Sequence, residues 1–124
     1  MFNANVKARP NSVAAADLSA LQYTFGALDA TGGVVAATAN GPAVGVIYNT
    51  PTSGQAVQLI NEGQAQVYAS AAIAAGAEIA VATGGKAKTA ASTNTIVGRA
   101  VTAASGADVL VTVELLPIAQ SVKA

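Results

Sequence analysis

Short apolar runs alternate with turn residues along most of this chain. From Leu18 onward, clusters of Gly, Asn, Pro and Ser recur roughly every 8 to 12 residues, a spacing typical of short strands. Val, Ile, Thr and Tyr fill the intervals. The clearest run is 108–115, where large apolar side chains occupy every second position. This pattern predicts an all-β fold, either a small antiparallel β-barrel or a sandwich of short strands.

A second alternating run covers residues 64–69, with Ala65, Val67 and Ala69 on one face. Residues 55–60 precede it, and Asn61, Glu62 and Gly63 separate the two runs. Because glycine adopts positive φ without a steric penalty, these three residues are suited to a tight turn. The segment is therefore predicted to be a β-hairpin.

The Ala-rich stretch 69–81 fits two structures. Alanine favours a helix, but Gly76 interrupts the stretch, and Ile79 and Val81 fit a turn followed by a strand better than a helical stripe. A strict two-residue loop at Gly84 and Gly85 would place Val81 opposite Lys88. Since this pairs an apolar with a charged side chain, a longer loop or a bulge is expected.

Two segments share a skeleton of a Val-Gly pair, a Ser-Gly pair and a Val. The Val-Gly pairs are Val44-Gly45 and Val97-Gly98. Both segments are predicted to be strand, turn, strand units in which Gly45 and Gly98 lie at a bulge or close to another backbone. Duplication and chance both explain the likeness.

Residues 1–16 have no sustained apolar period, so they are predicted to form an extended N-terminal arm before a domain at 17–124. Phe2, Val6, Lys7 and Arg9 are the candidate contact residues of this arm. They could add to the edge of a partner's sheet. An ordinary frayed terminus is the alternative.

The composition argues against an enzyme. The chain has no Cys and no His, and its acidic residues occur singly. Nucleophilic, acid–base and thiolate or imidazole metal chemistry therefore lack their usual groups. No catalytic, cofactor or metal site is predicted. The absence of Cys says nothing about redox compartment.

Charge and hydropathy restrict the partners. The zero net charge does not suit a nucleic-acid partner, because phosphate binding requires clustered cations. The uncharged stretch 30–61 contains prolines and amides, so it does not suit a membrane span, and the N-terminus lacks the apolar core of a signal peptide. The chain is expected to stay where it is made. Its few large apolar side chains predict a thin core supplemented by subunit contacts.

Lys86 suggests an alternative function, that of a carrier domain with a modified lysine. It follows Gly84 and Gly85 at a predicted hairpin tip, as the modified lysine does in lipoyl and biotinyl carrier domains. The acidic or Met neighbours of that lysine are missing here. A solvated cation at a hairpin tip is the simpler interpretation.

From residue 41 to residue 117 the order of motifs resembles the capsid cement, or head decoration, proteins of tailed bacteriophages. The motifs are AVGV at 43–46, SGQxV at 53–57, AxIxxGxxI at 71–79, VGRA at 97–100 and SGADVLVxV at 105–113. This resemblance implies a non-enzymatic virion protein, made in the host cytoplasm, that binds the outer capsid surface as a homotrimer. Its partner would be the major capsid protein, contacted through an N-terminal segment. A bacterial surface or polysaccharide-binding β module is the rival interpretation.

Overall fold

The computed structural model describes residues 7–8, 12–115 and 120–123 of the chain. The strands are β1 (Lys7–Ala8), β2 (Phe25–Leu28), β3 (Val34–Ala36), β4 (Gly45–Ile47), β5 (Leu59–Glu62), β6 (Gln64–Tyr68), β7 (Glu78–Val81), β8 (Ala87–Thr89), β9 (Thr95–Ile96), β10 (Gly98–Ala100), β11 (Leu110–Leu115) and β12 (Ser121–Val122). Within these residues the only helical element is a single 3₁₀ turn, Thr83–Gly85. The all-β prediction is confirmed. The preference for a turn and a strand in 69–81 is also confirmed, because β7 begins at Glu78.

Two five-stranded sheets form a sandwich-like fold rather than a closed barrel. The first sheet has the order β1-β5-β4-β2-β3 and the second has the order β6-β11-β10-β7-β8. Every strand pair is antiparallel. β9 and β12 form a separate two-stranded ribbon. Each sheet is built from one continuous part of the chain, here named the N-terminal half (residues 7–8 and 12–62) and the C-terminal half (residues 64–115).

The two halves have the same fold. In each of them, the first strand pairs with the last and the second and third strands form a hairpin beside the fourth. Most counterpart residues lie 53 positions apart, as Gly45 and Gly98 do. The backbone repeats in detail: Asn40 and Thr93, also 53 apart, both have positive φ, at 68° and 72°. The shared Val-Gly skeleton therefore marks structurally equivalent positions.

Hydrogen bonds outside the strands repeat as well. The Gly32 N–H donates to the Asp29 carbonyl at 3.1 Å, and its counterpart Gly85 donates to Ala82 at 3.0 Å. A parallel bridge joins Ala14 to Val34 in the first half and Ala69 to Ala87 in the second. The halves thus share their turns and edges as well as their strand order.

The predicted hairpin over residues 55–69 is wrong. β5 pairs with β4 and β1 in the first sheet, whereas β6 pairs with β11 in the second. Gly63, with φ of 85°, carries the chain from one sheet to the other. The alternation of buried Ala65 and Val67 in β6 is confirmed. An alternating pattern defines the buried face of a strand without defining its neighbour.

The other local predictions concern loops and glycines. Val81 lies opposite Ala87, because the loop at 82–86 is longer than two residues, as predicted. A Cβ on Gly45 would lie 2.7 Å from the Ile60 carbonyl oxygen, and one on Gly98 would lie 2.5 Å from that of Glu114. Both close approaches are confirmed.

The alternation over 108–115 predicts a strand throughout, and this prediction is wrong at its start. Asp108 lies in a turn with φ of 62°, and β11 begins at Leu110. Val109 is accordingly exposed, whereas Val111 and Val113 are buried as predicted. Asp108 must turn because its N–H donates to the Ala69 carbonyl.

Buried side chains form two clusters. The smaller one lies within the N-terminal half and contains Ala14, Leu18, Val34, Ile47, Val57 and Leu59. The larger one joins the sheets: Phe25, Val46 and Ile60 of the first half pack with the apolar face of the second. The first sheet is therefore covered on both faces. The second sheet has its apolar face covered and its other face largely open to solvent.

Candidate functional site

Of the four predicted contact residues, only Lys7 lies within the described part of the chain, in the edge strand of the first sheet. Phe2, Val6 and Arg9 fall outside the described residues. Lys7 begins β1, whose backbone pairs with β5 opposite Glu62. The predicted contact role of these four residues stays a prediction.

Residues 12–16, also assigned to the arm, hydrogen-bond to the domain. The Ala14 N–H donates to Gln55 at 2.9 Å and the Ala15 N–H donates to Val34 at 2.9 Å. Ala14 is buried in the smaller cluster. Residues 12–16 therefore belong to the domain, and before Ser12 the chain also meets it where β1 pairs with β5.

The open face of the second sheet carries a row of charged side chains across three strands. Arg99 in β10 lies between Glu78 in β7 and Glu114 in β11. The Arg99 Nη1 donates to the Gly76 carbonyl at 2.8 Å, and the Lys123 ammonium contacts the Glu78 carboxylate at 2.6 Å. That bond and the Lys123 charge, with a smaller contribution from Arg99, lower the pKa of Glu78. The row also borders a groove of about 300 Å³ that Ile96 and Val101 help to line.

Lys86 follows the hairpin tip, as predicted, but it has a partner. Its ammonium lies 2.6 Å from the Asp108 carboxylate, and its side chain is 37% exposed. This pair links the β7–β8 hairpin to the turn before β11. A carrier lysine must project freely to reach its enzymes, so the ion pair gives the carrier alternative no support.

Three tyrosines gather where the two halves meet, and no motif in the sequence indicates this. Tyr23 packs edge to face on Tyr48, with ring centroids 5.2 Å apart, and on Tyr68 at 6.0 Å. The Tyr48 hydroxyl accepts the Gln66 N–H at 2.9 Å. These are all the tyrosines of the chain, and each is partly exposed. Tyrosine is enriched in protein interfaces because it combines apolar area with a polar end.

The described residues provide little else for chemistry. Within them no group of three or more His, Cys, Asp or Glu side chains is arranged to hold a metal ion. Hydrogen bonds from Thr31 and Gly33 lower the pKa of Asp29, and those from Ser19 lower that of Asp17. Both carboxylates thus serve local turns. Among the described residues there is no helix of the length and apolarity that crossing a membrane requires.

Comparison with known proteins finds a likeness in structure only. No protein-family model matches the chain, and no curated protein matches it in sequence. Its fold is similar to that of the N base of the head fiber protein gp8.5 of bacteriophage phi29. The TM-score is 0.68 and the identity 20%, over 86% of this chain and 91% of that one. At this identity the likeness establishes a shared fold.

Proposed function

We propose that this protein is a structural component of a bacteriophage head that binds the outer capsid surface as a homotrimer. The observation that carries the proposal is the fold shared with a head fiber base over most of both chains. A non-enzymatic role in the virion accords with a chain that lacks Cys and His. The proposed partner is the major capsid protein.

Within this function, the chain would act as a cement protein. A homotrimer presents three copies of one contact surface, so modest affinity at each copy becomes firm attachment by avidity. The partly exposed tyrosine cluster has the composition of a protein interface. Attachment of this kind needs surfaces rather than a reactive centre.

Residues 1–11 are the proposed capsid-contacting segment, with Phe2, Val6, Lys7 and Arg9 as its contact side chains. The hydrogen bonds at Ala14 and Ala15 commit the residues from Ser12 on to the domain, and within the proposed segment β1 pairs with the edge of the first sheet. Removal of residues 1–11 is expected to leave a folded trimer that no longer binds heads.

The test mixes purified protein with empty heads assembled from the major capsid protein of the same genome. Sedimentation measures binding, and light scattering measures the mass of the free protein. We expect a trimer and saturable binding that the truncated chain loses. Equal binding by the truncated chain would overturn the arm assignment, and a monomer at micromolar concentration would overturn the trimer.

A second candidate, the base of a head fiber, is favoured by the structural neighbour, which is itself the N base of a head fiber protein. The two roles differ in their effect on the head. A cement protein should raise the temperature at which heads disassemble, because it clamps neighbouring capsomers. A fiber base should bind without raising that temperature. Thermal disassembly of saturated heads separates them.

A further inference from the structure

A groove of about 340 Å³ lies beside the β2–β3 hairpin tip of the N-terminal half. Its lining residues are Val13, Ala14, Ala15, Thr31, Gly32 and Gly33. The Val13 side chain is 45% exposed, and the Val13 N–H makes no hydrogen bond to another described residue. The groove thus offers an apolar wall and a backbone donor. It plays no part in the function described above.

The corresponding groove of the C-terminal half is occupied. The repeated bridges and hairpin bonds identify Tyr68 as the counterpart of Val13, and Gly85 as the counterpart of Gly32. There residues 23–25 of the N-terminal half cross the groove through a bend in which Tyr23 has φ of 64°. The Tyr68 N–H donates to the Tyr23 carbonyl at 2.9 Å.

Two glycines show the contrast directly. A Cβ built on Gly85 would lie 2.9 Å from the Phe25 carbonyl oxygen and 3.2 Å from the Thr24 Cβ. A Cβ on Gly32 would meet nothing within 4 Å. Both glycines have positive φ, at 81° and 87°. The same backbone is therefore covered in one half and open in the other.

We propose that the open groove binds a bent, uncharged segment of a partner protein, one with the chemistry and backbone shape of residues 23–25. Its carbonyl would accept the Val13 N–H, and its backbone would cross Gly32 as residues 24 and 25 cross Gly85. The reason is the internal contact, in which residues 23–25 already occupy the equivalent groove of the C-terminal half.

A second copy of this chain is the other occupant to consider, and its charges argue against it. In a second copy, the segment that would cross the groove is residues 76–78, the counterpart of residues 23–25. It ends in Glu78 where the internal contact has Phe25, and Arg99 stands where it has Val46. Covering this segment would remove the Glu78–Lys123 ion pair and the Arg99 guanidinium from water, and this desolvation costs free energy even for paired charges.

The test uses the intact ¹⁵N-labelled protein and a capped peptide with the sequence of residues 21–26. We expect the amide signals of Val13 and Gly32 to shift on titration. A capped peptide of residues 74–79 should leave them unchanged. The shifts should be lost in Val13→Asp and kept in Val101→Asp, a matched control because Val101 is 44% exposed on the other half. Thr31→Arg, which alters a different wall, replaces Val13→Asp if that variant does not fold.

Three results would overturn the proposal. The first is the absence of shifts at millimolar peptide, and the second is an equal response to the 74–79 peptide. The third is a shift at Gly85 in place of Gly32, because the peptide would then be displacing the internal strand. The proposal rests on the proposed function only for the source of the segment, the capsid surface. Head binding by Val13→Asp tests that source: normal binding would exclude the capsid from this groove while leaving the proposed function intact.

Discussion

The N-terminal and C-terminal halves have one fold but fill their interiors differently. Val34, Ile47 and Leu59 fill the first half from within. Their counterparts in the second half are the smaller Ala87, Ala100 and Val113. The remaining space is taken by Phe25, Val46 and Ile60 of the first half, which belong to the same cluster. The smaller cluster of the first half is therefore complete in itself, whereas the second half depends on the first for part of its core.

The other face of each sheet also differs between the halves, because only that of the first sheet is covered. Phe25, Val46 and Ile60 form a row across the first sheet, and the registers place Glu78, Arg99 and Glu114 in the equivalent row of the second. The first row is buried between the sheets and the second faces solvent. Side-chain identity thus follows what covers each face, while the common fold follows from turns, glycines and strand registers.

The largest change in the free energy of unfolding is expected when a charged residue of the second sheet is introduced at the buried counterpart position in the first. Val46→Arg places a cation at a fully buried position without a partner, which should cost about 3 to 5 kcal/mol or more. The reverse change, Arg99→Val, should alter the free energy of unfolding by less than about 1 kcal/mol because Arg99 is exposed. Urea unfolding followed by circular dichroism measures both. Equal effects would show that the two rows do not differ in burial.

A smaller loss of stability is expected from adding a methyl group at the glycines where, in both halves, two strands approach closely. In Gly98→Ala the new Cβ would collide with the Glu114 carbonyl, so the strands must separate at an expected cost of about 1 to 3 kcal/mol. Gly45→Ala should behave similarly against Ile60. Gly106→Ala is the matched control, since its Cβ would meet nothing within 4 Å. Thermal unfolding of the three variants checks this, and a stable Gly98→Ala would refute it.

The smallest effect concerns pH. Glu78 has a lowered pKa in the folded chain because Lys123 donates to it, so its contribution to stability is present above the ordinary value of 4.5. That contribution should be lost as the pH falls below this value and the carboxylate is protonated. Its counterpart Phe25 contributes by burial and has no such dependence. Urea midpoints measured between pH 6 and pH 3 should fall less in Glu78→Gln than in the unsubstituted protein. Equal falls in the two proteins would show that the Glu78–Lys123 ion pair does not contribute to stability.

The sequence predicted local features better than it predicted neighbours. The buried face of β6 and the loop at 82–86 followed from side-chain alternation and turn residues. The partner of β5 did not, because one glycine serves equally well to close a hairpin or to cross between sheets. Of the candidate site, the sequence indicated Lys86 at its hairpin tip but not the Asp108 partner. It could not indicate the tyrosine cluster, whose members are 20 or more positions apart in the chain.

The self-contained interior of the first half has a consequence for synthesis. Residues 12–62 leave the ribosome before any residue of the second sheet, and their own cluster needs nothing that comes later. We expect this half to acquire structure while translation continues, as domains made first generally do. Its apolar row then serves as a template on which the second half assembles. When only the residues up to Gly63 have emerged from the ribosome, the apolar row of the first sheet is exposed to water. A nascent chain at that stage would therefore be the one most in need of a chaperone.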